Sequence, residues 1–522
     1  MRLAWLIVIV GLVGCESEPF TGVDVDIGAD ACVAADVRRL EVRVLDASGG
    51  ELGAFDVTDP ELPSGVRVRA SDSARTYRVV ARAWGEGDTL IGAVELTGGF
   101  TEGQLTSHRG TFERACYAVS CPEGRTCREG RCMRDTATAY ELPDASLDCP
   151  TLAWVDASRG DDGSDCTDRN APCATIRRAL VAHTASGADG PIILVRGGTP
   201  YRRTGAENAA VSIWAGGSAD RPVTLRAWPG GPRPVVDAED AVENALDVNE
   251  GNVIVDGFEV VHGTDHGVSL NGSTVVDVAL LRCDIHDNGS AAMPDFDNRA
   301  GVIVNNGASR LVIAESAIHD NRNSMASESV SGIHTNDGNG TIRDVVLDEC
   351  VVFANQGAGL LLRGAEATLV GNRVYQNVGS NVVADGVDAL DAHDNVVCDA
   401  GSRGIHLIDT PSAMLANNTI VGSNDAGIMV TSSARAVIRA TMLVDNGGPG
   451  IRADAALDDG FNLYSGNATE VDGFMRAQPT TDVLADPMLT AGVDPCTFTL
   501  GAGSPARGAS MSGGDIGAPL SE

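Results

Sequence analysis

The sequence predicts an all-β protein in which a small β-sandwich and a disulfide-stapled spacer precede a long β-solenoid. Three observations carry that expectation. Glycines that introduce an apolar-x-apolar strand recur at Gly267, Gly301, Gly332, Gly359, Gly404, Gly427 and Gly450, with Asn381 in the slot between 359 and 404. Their spacings are 34, 31, 27, 22, 23, 23 and 23 residues, a period that lengthens only by insertion. Residues 32–116 alternate in strand fashion, and most of the 13 cysteines fall before residue 175.

At the N-terminus, Met1 and Arg2 precede the apolar run Leu3 to Gly14, too short to span a bilayer but of signal-peptide length. The run ends Leu12-Val13-Gly14-Cys15, which resembles a bacterial lipobox. That resemblance implies removal of residues 1–14, lipidation of Cys15 and an exported lipoprotein at the outer membrane or cell surface, with the lipid bilayer as a partner. Residues 15–31, with Glu16-Ser17-Glu18-Pro19, read as a tether.

In 32–116, Leu40–Val44, Val66–Arg69, Tyr77–Ala81 and Ala93–Leu96 are period-2 runs separated by Gly-rich turns, the pattern of a small β-sandwich. Cys32 and Cys116 bracket this stretch and are expected to pair, as are Cys166 and Cys173 around a short polar loop. Cys121, Cys127, Cys132 and Cys149 allow two bridges in three connectivities. Their spacing lacks the CxxC pairs of a zinc site. Residues 117–148 thus read as a stapled spacer and linker, too short for a core of its own.

From residue 149 the order of elements is informative. Trp154-Val155-Asp156, the turn Gly160-Asp161-Asp162, the short helix after Ala171-Pro172-Cys173 and the strand Ile192–Val195 resemble the entry cap of right-handed parallel β-helix proteins. The resemblance, to the pectate-lyase-like β-helix group of bacteria, covers roughly 149–522, with caps at 149–250 and 456–522. It implies that the C-terminal cap closes the open end of the stack. In each repeat a second triplet precedes the glycine, such as Cys283-Asp284-Ile285 and Asn395-Val396-Val397. Its third residue is aliphatic and expected inside. Its first is Cys, Ser, Asn or Thr, so Asn372, Asn395 and Asn418 should form an asparagine ladder at the ~4.8 Å strand spacing.

The charge balance narrows function. With 38 basic and 72 acidic residues the formal net charge is −34, which disfavours nucleic acid as a partner. There is no lysine, so every basic side chain is arginine and catalytic lysines are excluded. Proteins resembling this architecture include polysaccharide lyases and hydrolases as well as adhesins, and the lyases use Lys or Arg, commonly with calcium. The polygalacturonase pattern is incomplete, because its Arg-x-Lys element cannot occur here.

Two groups of residues are candidates for chemistry. His262, His286 and His319 follow the inward aliphatic residue on consecutive rungs, which suits a stacked metal site or an outward ladder continued by Phe353 and Tyr375. The insertions Ser290–Arg299 and Asn323–Val330 leave adjacent rungs and carry Asp295, Asp297, Arg299 and Glu328. His334, Asp337, Arg363 and Asp385 lie on that and the following rungs. Carboxylates so grouped can hold calcium or perform acid–base hydrolysis. The expected role is a carbohydrate-interacting or structural surface protein, with a polysaccharide hydrolase or lyase using carboxylates and arginine as the alternative.

Overall fold

The computed structural model describes residues 21–46, 48–69, 76–101, 104–119, 121, 125–128, 131–133, 151–184, 190–205, 207–219, 221–290, 299–323, 330–336, 342–473 and 479–520. The chain divides into two compact units, Met1–Pro150 with Trp228–Gly231, and Thr151–Ala227 with Pro232–Glu522.

In the first unit, strands that alternate apolar and polar residues build two facing sheets. Gly22–Ala29 lies between Ser64–Arg69, antiparallel to it, and Leu105–Phe112, parallel. Glu51–Thr58, Arg39–Asp46, Thr76–Trp84 and Leu90–Gly99 form the four-stranded partner. Val23, Val25 and Ile27 of one sheet share a core with Val42, Val79 and Leu96 of the other. The sandwich therefore begins at Gly22, inside the stretch expected to be a tether. Val23-Asp24-Val25-Asp26-Ile27 is a half-buried strand, and the outward Asp24 accepts two bonds from Arg67.

Cys116 bonds Cys127 and Cys121 bonds Cys132, with Cα–Cα separations of 5.7 and 5.4 Å. The expected Cys32–Cys116 bridge is thus corrected, and Cys127 pairs outside the foursome proposed for it. The cause is local. The hairpin of Thr126–Arg128 and Arg131–Met133 sets Cys127 and Cys132 side by side, and each reaches back 11 residues. The stapled segment also docks on the sandwich, where the Glu95 N–H donates to Thr126 Oγ1 at 3.1 Å. Cys149 lies outside the described residues.

The second unit is a solenoid of three parallel sheets. Sheet one has 12 strands, from Leu152–Val155 to Ala456–Gly460. Sheet two has 11, from Ala209–Ile213 to Val471–Gly473, and sheet three has 11, from Val235–Asp237 to Val483–Leu484. Every coil visits sheet two, then one, then three. Two corners of each coil are turned by one left-handed residue. Arg282, Glu315, Asp394 and Asn417 do so between sheets one and three, and Asp287, Asp320, Gln376 and Asp399 between sheets three and two. Such residues cost about 1–2 kcal/mol each outside glycine, and the ladders that follow them offset that cost.

At the first corner the expected ladder is present. Asn372 Nδ2 donates to Asn395 Oδ1 at 2.9 Å, and Asn395 Nδ2 donates to Asn418 Oδ1 at 2.9 Å. A second ladder, not expected from the sequence, runs through Asn288, Asn321, Asn355 and Asn377 at the other corner. Ile285, Ile318, Val352, Val374, Val397, Ile420 and Leu443 are all buried in the coil, as anticipated.

The N-terminal cap matches the resemblance. Cys166 and Cys173 are bonded, and the helix Ile176–Thr184 starts from Thr175, whose Oγ1 accepts from the Arg178 N–H. The C-terminal segment departs from it. Residues 456–473 and 479–484 continue the coils, and the chain then runs back along the outer face of sheet three instead of closing the end. Cys496 bonds Cys398, and the Ala518 N–H reaches Thr419 Oγ1 at 3.0 Å. That face is apolar, with Tyr375, Val396, Met442, Val444 and Leu463 buried beneath Ala506, Ile516 and Ala518, so covering it removes apolar surface from water.

Candidate functional site

Sheet two has an outer row that runs in strict register through Ser269, Ile303, His334, Leu361, Val383, His406, Met429 and Arg452. Beside it, at the start of the strands, lie His266, Ala300 and Ser331. Ser269, Ile303 and His334 are buried, and from Leu361 onward the row is partly exposed. His334 thus stands where the closed part of the face meets the open part.

Its surroundings are electrostatically unusual. His334 has no exposed surface, and neither ring nitrogen has a hydrogen-bond partner. Burial, with Arg363 adding to it, pushes its pKa down to about 4. His266 Nδ1 and Ser331 Oγ are likewise buried without partners. Burial first, then His334 and Arg299, push His266 down to about 3. Both imidazoles are therefore neutral at neutral pH, each with one N–H donor and one nitrogen acceptor.

The charged neighbours are paired. Arg299, almost wholly buried, donates from Nε to Asp265 Oδ1 at 3.3 Å, and Arg363 Nε donates to Asp385 Oδ2 at 3.3 Å. Further along, Arg403 and Arg452 share Asp425 at 3.5 and 3.0 Å. Burial pushes His406 down to about 4, with Arg403 contributing, and its Nε2 meets Thr431 Oγ1 at 3.3 Å.

Of the residues expected here, the structure brings Arg299, His334, Arg363 and Asp385 to one face. Asp295, Asp297, Glu328 and Asp337 lie outside the described residues. His266 and Ser331 were missed, although both occupy the position just before the repeat glycine, where a polar residue must face outward.

The three histidines are not one ladder. Register places Val261, not His262, beside His286. His262 is itself a left-handed corner residue, equivalent to Asp287 and Asp320, and its Nδ1 meets Asp237 at 2.8 Å. His286 and His319 do stack, at 4.9 Å, and the column continues through Phe353 and Tyr375 at 4.5 and 5.0 Å. His319 faces Asp320 and Asp284 at 2.9 and 3.0 Å. These rings form an outward aromatic column bracketed by carboxylates, and among the described residues no group of three His, Cys, Asp or Glu side chains is set to hold a metal. The free thiols are unreactive by environment, since burial raises Cys283 to about 11 and Cys350 to about 12.

Comparison with known proteins agrees with the coil architecture. Residues 239–397 and 331–468 match the family described as "Right handed beta helix region". No curated protein matches the sequence. Among solved structures, a rhamnogalacturonan lyase is 13% identical with a TM-score of 0.46, covering 65% of this chain and 91% of that one. A PL6 family polysaccharide lyase from Pseudopedobacter saltans is 12% identical with a TM-score of 0.34, covering 64% and 96%. The catalytic unit of a GH87 alpha-1,3-glucanase from Streptomyces thermodiastaticus is 13% identical with a TM-score of 0.32, covering 88% and 87%.

Proposed function

We propose that this chain, a right-handed parallel β-helix protein, is anchored through a lipidated Cys15 at the bacterial cell envelope and binds a glycan on the outer face of sheet two, at His334 and its neighbours. Cys15 lies outside the described residues, and its assignment rests on the lipobox-like Leu12-Val13-Gly14-Cys15. The observation that carries the binding reading is the group of partnerless polar atoms at His266, Ser331 and His334. Buried polar atoms in proteins are nearly always hydrogen-bonded, and a concentration of exceptions marks a place where a ligand supplies the partner. A neutral imidazole and a serine hydroxyl each offer both a donor and an acceptor, which complements a sugar hydroxyl. The open rungs from Leu361 to Arg452 give an extended chain a rigid floor that leads to His334.

Binding is favoured over bond cleavage by the state of the charged groups. Asp265 and Asp385 are each engaged by an arginine, Arg299 and Arg363 respectively, which supports a binding role for these charges. The test is a polysaccharide panel applied to the detergent-solubilised full chain, with binding measured alongside release of reducing ends or unsaturated sugars. Retention without product supports this reading. Product formation that His334→Gln abolishes replaces it with the hydrolase or lyase alternative.

A further inference from the structure

Resting on the glycan reading above, we infer that the ligand of this face is an uncharged glycan, bound through its hydroxyls, rather than a polyuronate or sulfated polysaccharide. An acidic sugar entering a closed site needs a cation that is not already committed, because a buried carboxylate without a counter-charge is far costlier than a buried hydroxyl with a hydrogen bond. The face offers no such cation among the described residues. Arg299 is matched by Asp265 and Arg363 by Asp385, while Arg403 and Arg452 share Asp425 and Arg452 also faces Asp472 at 3.8 Å.

Around His334 the groups that lack hydrogen-bond partners are all uncharged, whereas on the open rungs Arg403 Nε also lacks one and meets Asp425 only as an ion pair at 3.5 Å. His266 Nδ1, Ser331 Oγ and both nitrogens of His334 present donors and acceptors but no net charge. On the open rungs next to His334 stand Leu361 and Val383, partly exposed apolar surfaces suited to the C–H faces of a sugar ring and useless to a carboxylate. The chain as a whole carries a formal charge of −34, so its far field repels polyanions as well. Local pairing and global charge thus point the same way.

The experiment uses the full chain in detergent with two sets of probes at matched length. One holds neutral gluco-, xylo- and manno-oligosaccharides, and the other holds oligogalacturonates and alginate oligosaccharides. Affinity is measured by calorimetry at 50 and 500 mM NaCl, with and without chelator. A neutral oligosaccharide should bind with an affinity that changes less than about twofold across that salt range, because uncharged contacts are not screened. Ser331→Ala and His334→Gln should each weaken it by about tenfold, a single-hydrogen-bond loss, while circular dichroism stays unchanged. Ser331→Ala removes one oxygen atom, so it keeps the comparison valid if the histidine variant misfolds. Binding of the acidic set alone, steeply weakened by salt or by chelator, would overturn the uncharged-ligand inference and leave the glycan reading standing. Binding of neither set would overturn the glycan reading and this inference with it.

Discussion

Asn381 and Ala400 exchange places in the second asparagine ladder. At the corner after sheet three the inward residue is Asn288, Asn321, Asn355 and Asn377 on successive rungs, and register then puts Ala400 in that position. On the neighbouring strand the repeat glycine becomes Asn381, whose Oδ1 accepts from Asn377 Nδ2 at 2.9 Å and whose Nδ2 donates to the Cys398 carbonyl at 2.8 Å. At Gly267, Gly301, Gly332 and Gly359 a Cβ would meet the ladder amide, 2.6 Å away at Gly359 from Asn377 Nδ2. Where the ladder residue shrinks to alanine, the glycine is replaced by the asparagine that fills the gap.

That reciprocity predicts a double-mutant cycle. Asn381→Gly should cost about 1–3 kcal/mol, because the buried Asn377 N–H loses its side-chain acceptor and Nδ2 keeps only the longer bonds to the Val352 and Tyr375 carbonyls. Ala400→Asn should also destabilise, by crowding Asn381. The two together restore the arrangement of the other rungs, so the double variant should be more stable than either single one in denaturant titration. Simple additivity of the two losses would show that the positions are not coupled.

In the first ladder, Asn395→Asp should be worse than Asn395→Ala. The Asn395 amide nitrogen donates to the Leu369 and His393 carbonyls and to Asn418 Oδ1. The carboxylate oxygen that replaces this nitrogen would face three acceptors, while Oδ1 keeps only the donors of Asn372, and a buried charge without a counter-ion costs more than a lost hydrogen bond. Equal melting temperatures for the two variants would contradict the ladder geometry.

Acid should destabilise the second unit through its histidines. His266 and His334 are held at about 3 and 4, against 6.5 for the unperturbed side chain. The unfolded chain takes up these protons as the pH falls through 6.5, while the folded chain resists until near 4. Their burial as neutral groups is therefore fully tolerated above 6.5 and opposes the fold increasingly below it. The melting temperature of the wild type should fall more between pH 7 and 5 than that of His334→Gln. Parallel pH profiles would mean that His334 is solvated.

The Cys398–Cys496 bond should hold the C-terminal segment against sheet three. It closes a span of 98 residues, and loss of a native disulfide typically costs about 2–5 kcal/mol. In the Cys398→Ala, Cys496→Ala double variant, limited proteolysis should cut first within 489–520 and leave the coils intact. Unchanged cleavage would show that the apolar contacts of Ile516 and Ala518 suffice.

Anchoring is tested at Cys15. Cys15→Ser should move the protein from the membrane fraction to the soluble fraction, because the acyl chains supply the membrane affinity. A variant that still pellets with membranes refutes the lipoprotein assignment.

The sequence by itself determined the coil. A 23-residue period, an inward aliphatic such as Ile420 and a small polar residue such as Asn418 before it recur in every repeat, and identical strands can stack only in register. It also determined the outer row from Ser269 to Arg452, since alternation within a strand leaves one choice of face. What it left open depended on residues that meet only across rungs. Whether His262 joined His286 turned on register, which puts Val261 beside His286 and His262 on the left-handed corner. Whether 489–520 closed the end or ran along sheet three turned on the apolar surface that 11 stacked strands assemble. The site followed the same rule, because His266, Ser331 and His334 lie up to 68 positions apart in the chain. Only the stacking of successive coils makes them neighbours, and only their burial makes the missing hydrogen bonds costly.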